Sequence, residues 1–137
     1  MIDYLIGVDG GGTGTRVRLA RRDGAGHIEI AQASGGPSAL SRGIDNAWTT
    51  IGGVVAQAFA SLDIQHLPLS SCAIGLGLAG VHNKEWAAQF IAANPGYALL
   101  ALDTDGFTTL MGAHGGRPGA IVAIGTGSVG AVSYTHL

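Results

Sequence analysis

The sequence has one cysteine, few charged residues and no long apolar run. Cys72 cannot form a disulfide within the chain, and this low cysteine usage fits a reducing compartment, so we expect a cytoplasmic location. Charged residues make up only 12% of the chain and its net charge is −2, unlike a typical nucleic-acid-binding protein. No apolar run reaches the roughly 18 residues of a membrane-spanning helix, and the first residues lack the pattern of a signal peptide. We therefore expect neither nucleic acid nor a membrane as a partner.

Glycine and hydrophobic residues, by contrast, are abundant. Hydrophobic residues make up 47% of the 137 positions, which is enough for the core of one compact domain and argues against disorder. The 24 glycines cluster at a few places without the period of collagen. Such clusters are typical of tight turns and of places where the backbone approaches a ligand closely.

The spacing of apolar residues predicts an α/β fold. Across residues 15–23 the pattern is that of a strand with Val17 and Leu19 inside and a solvated face formed by its arginines, Arg16, Arg18, Arg21 and Arg22. From Ile44 to Leu62 apolar residues recur at steps of three and four, as on one helix face. The whole pattern predicts strands at 4–9, 15–23, 27–34, 71–80, 97–103 and 120–125, and helices at 44–62, after an N-cap at Asn83, and from about Asp105. This order implies a mixed sheet that begins as an antiparallel meander and is flanked by helices.

A glycine-rich turn follows the first strand, in the segment GVDGGGTGTR. It lacks the lysine of a P-loop, and the next segment is a strand instead of the helix of a dinucleotide-binding fingerprint. The remaining interpretation is a hairpin whose tip exposes backbone N–H groups to an anion, with Asp9 beside it to hold Mg²⁺. The alternative is an ordinary tight hairpin in which Asp9 caps the turn.

A second glycine-rich turn, IGTGSVG, begins at Ile124. Gly125, Gly127 and Gly130 match the dinucleotide-binding spacing, but no helix is predicted after them, so we favour a second hairpin. In that hairpin Thr126 and Ser128 offer hydroxyl groups to another phosphate.

Two aspartates, Asp103 and Asp105, lie between these turns at the end of a predicted strand. The carboxyl ends of strands face the ligand crevice in open α/β sheets, where a carboxylate can accept a proton from an attacking hydroxyl. A plain helix N-cap is the alternative role for Asp105.

Taken in order, these three elements resemble the sugar kinase/Hsp70/actin superfamily, and more narrowly the BadF/BadG/BcrA/BcrD ATPases, which include N-acetylglucosamine kinase and bacterial glucosamine kinase. The segments LGLAGVHNKEW and LDTDGFTTLMGAH also resemble stretches around the sugar site of that family. The resemblance implies a ribonuclease H-like mixed sheet, ATP and Mg²⁺ as cofactors, and phosphorylation of glucosamine or N-acetylglucosamine at the 6-hydroxyl. The implied partner is a small-molecule sugar, and a homodimer of the full-length protein is compatible with the family.

The resemblance also implies a role for each matching residue. Asp105 would be the catalytic base, and Asp9 would orient the metal. The sugar contacts would come from Ser38, Asp105 and Gly127. The phosphates would be held by Gly11, Gly12, Thr13, Gly125, Thr126, Gly127 and Ser128.

The sequence departs from the family in two places. Ala39 occupies the position where the family usually has an asparagine that contacts the sugar, and Ser38 is the neighbouring residue that partly compensates. We expect residues 1–130 to form the N-terminal kinase domain, residues 131–137 to be a truncated or non-native tail, and the adenosine-binding second domain to be missing. Because phosphoryl transfer depends on a closed site, we expect the 137-residue chain alone to have little or no kinase activity.

Two other functions stay open. The same family contains ATPase activators of 2-hydroxyacyl-CoA dehydratases and benzoyl-CoA reductases, which work through an iron–sulfur cluster. Such a cluster needs cysteine thiolates, and Cys72 lies in a predicted buried strand. A non-catalytic nucleotide-binding regulatory module is the other alternative, and Asp105 argues against it.

Overall fold

The computed structural model describes residues 2–103, which form five strands and two α-helices. The predicted helix near Asp105 and the predicted strand at 120–125 lie outside these residues. The strands are β1 (Tyr4–Gly10), β2 (Thr15–Asp23), β3 (Gly26–Gly35), β4 (Cys72–Leu78) and β5 (Leu99–Asp103), and the helices are α1 (Ile44–Ala60) and α2 (Lys84–Ala92).

The strands form one mixed sheet in the order β3-β2-β1-β4-β5. β1, β2 and β3 pair antiparallel, whereas β4 pairs parallel to both β1 and β5. The predicted meander followed by α/β alternation is therefore confirmed over the described residues. Because β1, β4 and β5 run in the same direction, their carboxyl ends meet at one edge of the sheet.

β2 and β3 confirm the hairpin that the sequence predicts. Val17 and Leu19 are buried, whereas Arg16 is exposed, as the alternation in this strand requires. The turn between the two strands is only two residues long, and Gly24 adopts a left-handed φ of 64° within it. Such a conformation favours glycine, which explains the Asp-Gly pair at this point.

Both helices pack on the same face of the sheet. Ile51, Val55 and Phe59 of α1 contribute to the main core, together with Phe90 of α2. The Trp48 and Phe90 rings stack with centroids 4.1 Å apart, and Trp48 Nε1 donates a hydrogen bond of 2.9 Å to the Phe90 carbonyl. None of the helices that the structure describes is long and apolar enough to cross a membrane.

The opposite face of the sheet carries small residues along its centre. Leu5, Ala20 and Ala73 form a minor cluster there, and Gly7 pairs with Gly75 of the neighbouring strand. Asp9 shares this face because side chains alternate along β1. The carboxyl end of β1 on this face is where the candidate site lies.

Candidate functional site

An open pocket of about 420 Å³ lies at the carboxyl end of β1. Ligands of open α/β sheets bind at this edge, outside the ends of the parallel strands. The residues that line the pocket come from β1, the following loop, β2 and the end of β3. They are Asp9, Gly10, Gly11, Thr13, Gly14, Thr15, Arg16, Ser34 and Gly35.

The glycine loop, residues 10–14, joins β1 to β2 as a tight hairpin. Gly11 N donates a hydrogen bond of 3.0 Å to Gly14 O, which closes the turn. Within residues 2–103, the N–H groups of Gly12, Thr13 and Gly14 have no protein acceptor. Successive unpaired N–H groups of this kind form a binding site for an anion. The predicted exposed hairpin tip is therefore present.

Space, and not an unusual φ, explains Gly10 and Gly14 of this loop. Left-handed glycines in the described part of the chain are at 24, 43, 80 and 96, and none is in the glycine loop. A Cβ on Gly10 would instead lie 2.1 Å from Ser38 Oγ, and one on Gly14 would lie 3.3 Å from the Gly35 carbonyl oxygen. The loop is thus packed closely against the segment that follows β3.

A pair of buried hydroxyl groups fixes the base of the loop. Thr15 Oγ1 donates to the Gly36 carbonyl at 2.6 Å and also lies 2.6 Å from Ser38 Oγ. Because Thr15 has one hydroxyl proton and the carbonyl takes it, Ser38 supplies the proton of the second bond. Ser38 is fully buried, and its N–H donates to Gly11 O at 3.0 Å. The sugar contact that the family implies for Ser38 stays a prediction, and the structure gives this residue a definite role beneath the loop.

Backbone hydrogen bonds tie the same loop to the segment after β4. Ala79 N donates to Gly10 O at 3.0 Å, and Leu40 N donates to Ala79 O at 2.9 Å. Residues 36–40, residues 79–80 and the glycine loop therefore form one connected unit. Residues 79–80 belong to a stretch that resembles the family's sugar site, and residues 36–40 include Ala39, at the position of the family's sugar-contacting asparagine.

Asp9 is the second-last residue of β1 and lines the pocket. The sheet register pairs Asp9 with Gly77 of β4, and Gly77 with Asp103 of β5. Neighbouring strands lie about 4.8 Å apart, so the Asp9 and Asp103 backbones are separated by about 10 Å across a residue with no side chain. No cluster of three metal-ligating side chains occurs in residues 2–103. A cation at Asp9 would therefore be bound mainly by water and ligand oxygens, as Mg²⁺ commonly is.

Cys72 does not line the pocket and is a buried free cysteine. It is completely buried at the start of β4, and its Sγ donates a hydrogen bond of 3.2 Å to the Pro68 carbonyl. Burial, together with the nearby charge of Asp3, raises the pKa of the thiol to about 12. The side chain is thus a neutral core group, as the sequence predicts.

The structure brings together only part of the predicted site. Asp9, Gly11 and Thr13 line one pocket, Gly12 belongs to the same loop, and Ser38 lies beneath it. Outside the described residues are Asp105, Gly125, Thr126, Gly127 and Ser128.

Sequence reasoning named Asp9, Gly11 and Thr13 but missed the other six residues that line the pocket, which are Gly10, Gly14, Thr15, Arg16, Ser34 and Gly35. The signal for Arg16 was present in the hairpin itself. A turn that pairs Gly10 with Thr15 must place Arg16 opposite Asp9.

Known proteins that resemble the chain are kinases by name. This chain is 34% identical over 130 residues to glucosamine kinase GspK of Vibrio cholerae serotype O1. The alignment covers 94% of this chain and 43% of that protein. A crystal structure from Chromobacterium violaceum, provisionally named an N-acetylglucosamine kinase, matches with 54% identity and a TM-score of 0.71. That match covers 85% of this chain and 40% of the other. No family model matches the chain.

The chain therefore spans about two fifths of the length of these two relatives. Identity of 34–54% over most of the chain, together with the shared topology, indicates common ancestry as well as a common fold. The chain is therefore a homologue of these two proteins named as amino-sugar kinases, and its mixed α/β sheet belongs to the fold of the solved structure.

Proposed function

We propose that the chain is the phosphate- and sugar-binding part of an ATP-dependent amino-sugar kinase. The reaction would transfer the terminal phosphoryl group of ATP to the 6-hydroxyl of glucosamine or N-acetylglucosamine. The observation that carries this proposal is the row of unpaired N–H groups at Gly12, Thr13 and Gly14 beside the carboxylate of Asp9. Homology to two proteins named as amino-sugar kinases supports it.

The loop N–H groups can bind the negative charge of a phosphate, and the Asp9 carboxylate can bind the positive charge of its metal ion. The loop N–H groups and the Thr13 hydroxyl would donate hydrogen bonds to phosphate oxygens. The exposed carboxylate of Asp9 would repel those oxygens unless it orients a hydrated Mg²⁺ between them. When bound, the metal would neutralise negative charge on the phosphates. Two glycine turns would then enclose the phosphates, with Gly125, Thr126, Gly127 and Ser128 forming the second.

Proton removal from the sugar is the other requirement of the reaction. We assign it to Asp105, which follows the last residue of β5 by two positions in the sequence. β5 itself ends at the same edge of the sheet as β1 and β4. The sugar itself would lie between this edge and the unit formed by residues 36–40 and 79–80. In that unit position 39 is an alanine, whose methyl group cannot form a hydrogen bond, so a polar contact to the sugar here would come from the backbone or from a neighbouring residue. The proposal includes a cytoplasmic location for the enzyme and a homodimer as its assembly.

The test is sugar-dependent ADP release by the protein that the complete reading frame encodes. We expect release with glucosamine or N-acetylglucosamine, loss of activity when Mg²⁺ is chelated, and loss of activity in Asp9→Asn. Asp105→Asn should lower turnover about 10²- to 10⁴-fold while ATP binding survives, because only the proton acceptor is removed. Unchanged turnover in Asp105→Asn would contradict the assignment of the base. ADP release that ignores both sugars would contradict the kinase itself.

A further inference from the structure

Arg16 lines the same pocket as Asp9 and the glycine loop. The sheet register places it between Asp9 of β1 and Ser34 of β3, and both neighbours also line the pocket. All three lie at the end of their strands that meets the glycine loop. Arg16 is therefore positioned by two strands, and its side chain is exposed to the space that the loop surrounds.

The next arginine along the same face is committed elsewhere. Arg18 donates hydrogen bonds to Glu29 and forms an ion pair of 2.5 Å with it, and Gln32 donates to the second Glu29 oxygen. Partial burial acts to raise the pKa of Glu29, but these hydrogen bonds and the Arg18 charge outweigh it and hold the pKa below its ordinary value. Arg16 differs, because it has no hydrogen bond or ion pair with any side chain of residues 2–103.

The pocket has a charge requirement that Arg16 meets. Among the described residues that line it, Asp9 has the negatively charged side chain and Arg16 the positively charged one. A polyphosphate brings several negative charges, and the loop N–H groups carry only partial positive charge. A guanidinium group donates two parallel hydrogen bonds to a phosphate, which makes it the side chain best suited to this position.

We propose that Arg16 is a phosphate-binding residue, and that its guanidinium group donates hydrogen bonds to the polyphosphate held by the glycine loop. This inference rests on the proposed function, since it assigns a further contact to the same ligand. It also changes the interpretation of the arginines in β2. Arg16 belongs to the site, whereas Arg18 pairs with Glu29 and Arg21 and Arg22 lie at the far end of the strand.

Calorimetric titration of the 137-residue chain with magnesium tripolyphosphate tests the inference. The variants are Arg16→Gln, Arg16→Lys and the matched control Arg21→Gln. Arg21 is exposed on the same strand but pairs with Tyr4, five residues or about 16 Å from Arg16. The control therefore removes the same charge from the chain without touching the pocket. Thermal melts of each variant establish that the fold is intact.

We expect Arg16→Gln to weaken binding about 10- to 100-fold, which is the usual effect of losing hydrogen bonds to a charged group. Arg16→Lys should fall between it and the wild type, because the charge stays while the planar fork is lost. Arg21→Gln should stay within about twofold.

Equal binding by wild type and Arg16→Gln, or equal losses in Arg16→Gln and Arg21→Gln, would overturn the inference and leave the proposed function standing. If the wild-type chain binds neither magnesium tripolyphosphate nor MgATP, both the inference and the proposed phosphate site are wrong.

Discussion

Gly10 lies where three segments of the chain meet, and a side chain has no room there. Its carbonyl accepts a hydrogen bond from Ala79, and a Cβ would lie 2.1 Å from Ser38 Oγ and 2.9 Å from Leu78 Cδ2. Both neighbours are buried, so neither moves away without cost. The glycine is therefore required by packing beneath the candidate site.

We predict that Gly10→Ala lowers the free energy of unfolding by about 1–3 kcal/mol, because the new methyl group overpacks this point. Gly12→Ala is the matched control, since nothing lies within 4 Å of its Cβ position. The control should change the free energy of unfolding by less than about 0.5 kcal/mol. Urea denaturation of both variants measures the difference, and similar midpoints for the two would contradict the packing argument.

Cys72 gives a second prediction at the same scale. Its thiol is buried and its pKa is raised to about 12, so almost no thiolate forms at pH 8. We predict negligible alkylation by iodoacetamide in the native chain at this pH, and rapid alkylation after unfolding in urea. Rapid native labelling would contradict the buried position. It would also restore Cys72 as a candidate cluster ligand and strengthen the iron–sulfur activator alternative.

The helices show which elements depend on local signals. Asn83 caps α2, and its side-chain oxygen accepts hydrogen bonds of 3.0 Å from Glu85 N and Trp86 N, as its position in the sequence predicts. α1 includes Gly52 and Gly53, which are unfavourable in a helix interior by about 1 kcal/mol each relative to alanine. It forms because its apolar face packs on β2 and β3. α2 is only nine residues long, and its cap therefore matters more.

We predict that Asn83→Ala lowers the free energy of unfolding by about 1 kcal/mol, since two N–H groups of the first turn lose their acceptor. Asn83→Asp keeps an acceptor and places a negative charge at the positive end of the helix, so it should be close to wild type or slightly more stable. Chemical denaturation followed by circular dichroism provides the comparison. A wild-type midpoint for Asn83→Ala would mean that the cap contributes nothing.

For the whole molecule, local periodicity predicted the elements but not all of their spatial relations. Alternation in β2 and the Gly24 turn indicated the meander, because both signals come from neighbouring residues. The row that joins Asp9, Gly77 and Asp103 depends on parallel pairing across long connections. Such a register is set by packing of the completed sheet, and no short segment contains it.

The site shows the same division. The loop with its exposed N–H groups was predictable from the glycines of one hairpin. The bond between Ser38 and Thr15 joins residues 23 positions apart, and both side chains are buried in the folded chain. No local sequence signal predicts such a contact. Arg16 was interpreted as part of a solvated arginine face, because its alternation in β2 is the same as that of Arg18 and its place opposite Asp9 was not used. The structure separates them, since Glu29 pairs with one and the pocket adjoins the other.

The central claim is that the glycine loop at the carboxyl end of β1 binds phosphate. Amide-resolved NMR titration of the 137-residue chain with MgATP tests it most directly, because each loop N–H reports its own environment. We predict that the largest chemical-shift changes occur at Gly12, Thr13 and Gly14, with inorganic tripolyphosphate reproducing them and adenosine failing to do so. Unchanged loop signals at saturating MgATP, or changes confined to a distant element such as α2, would contradict the claim.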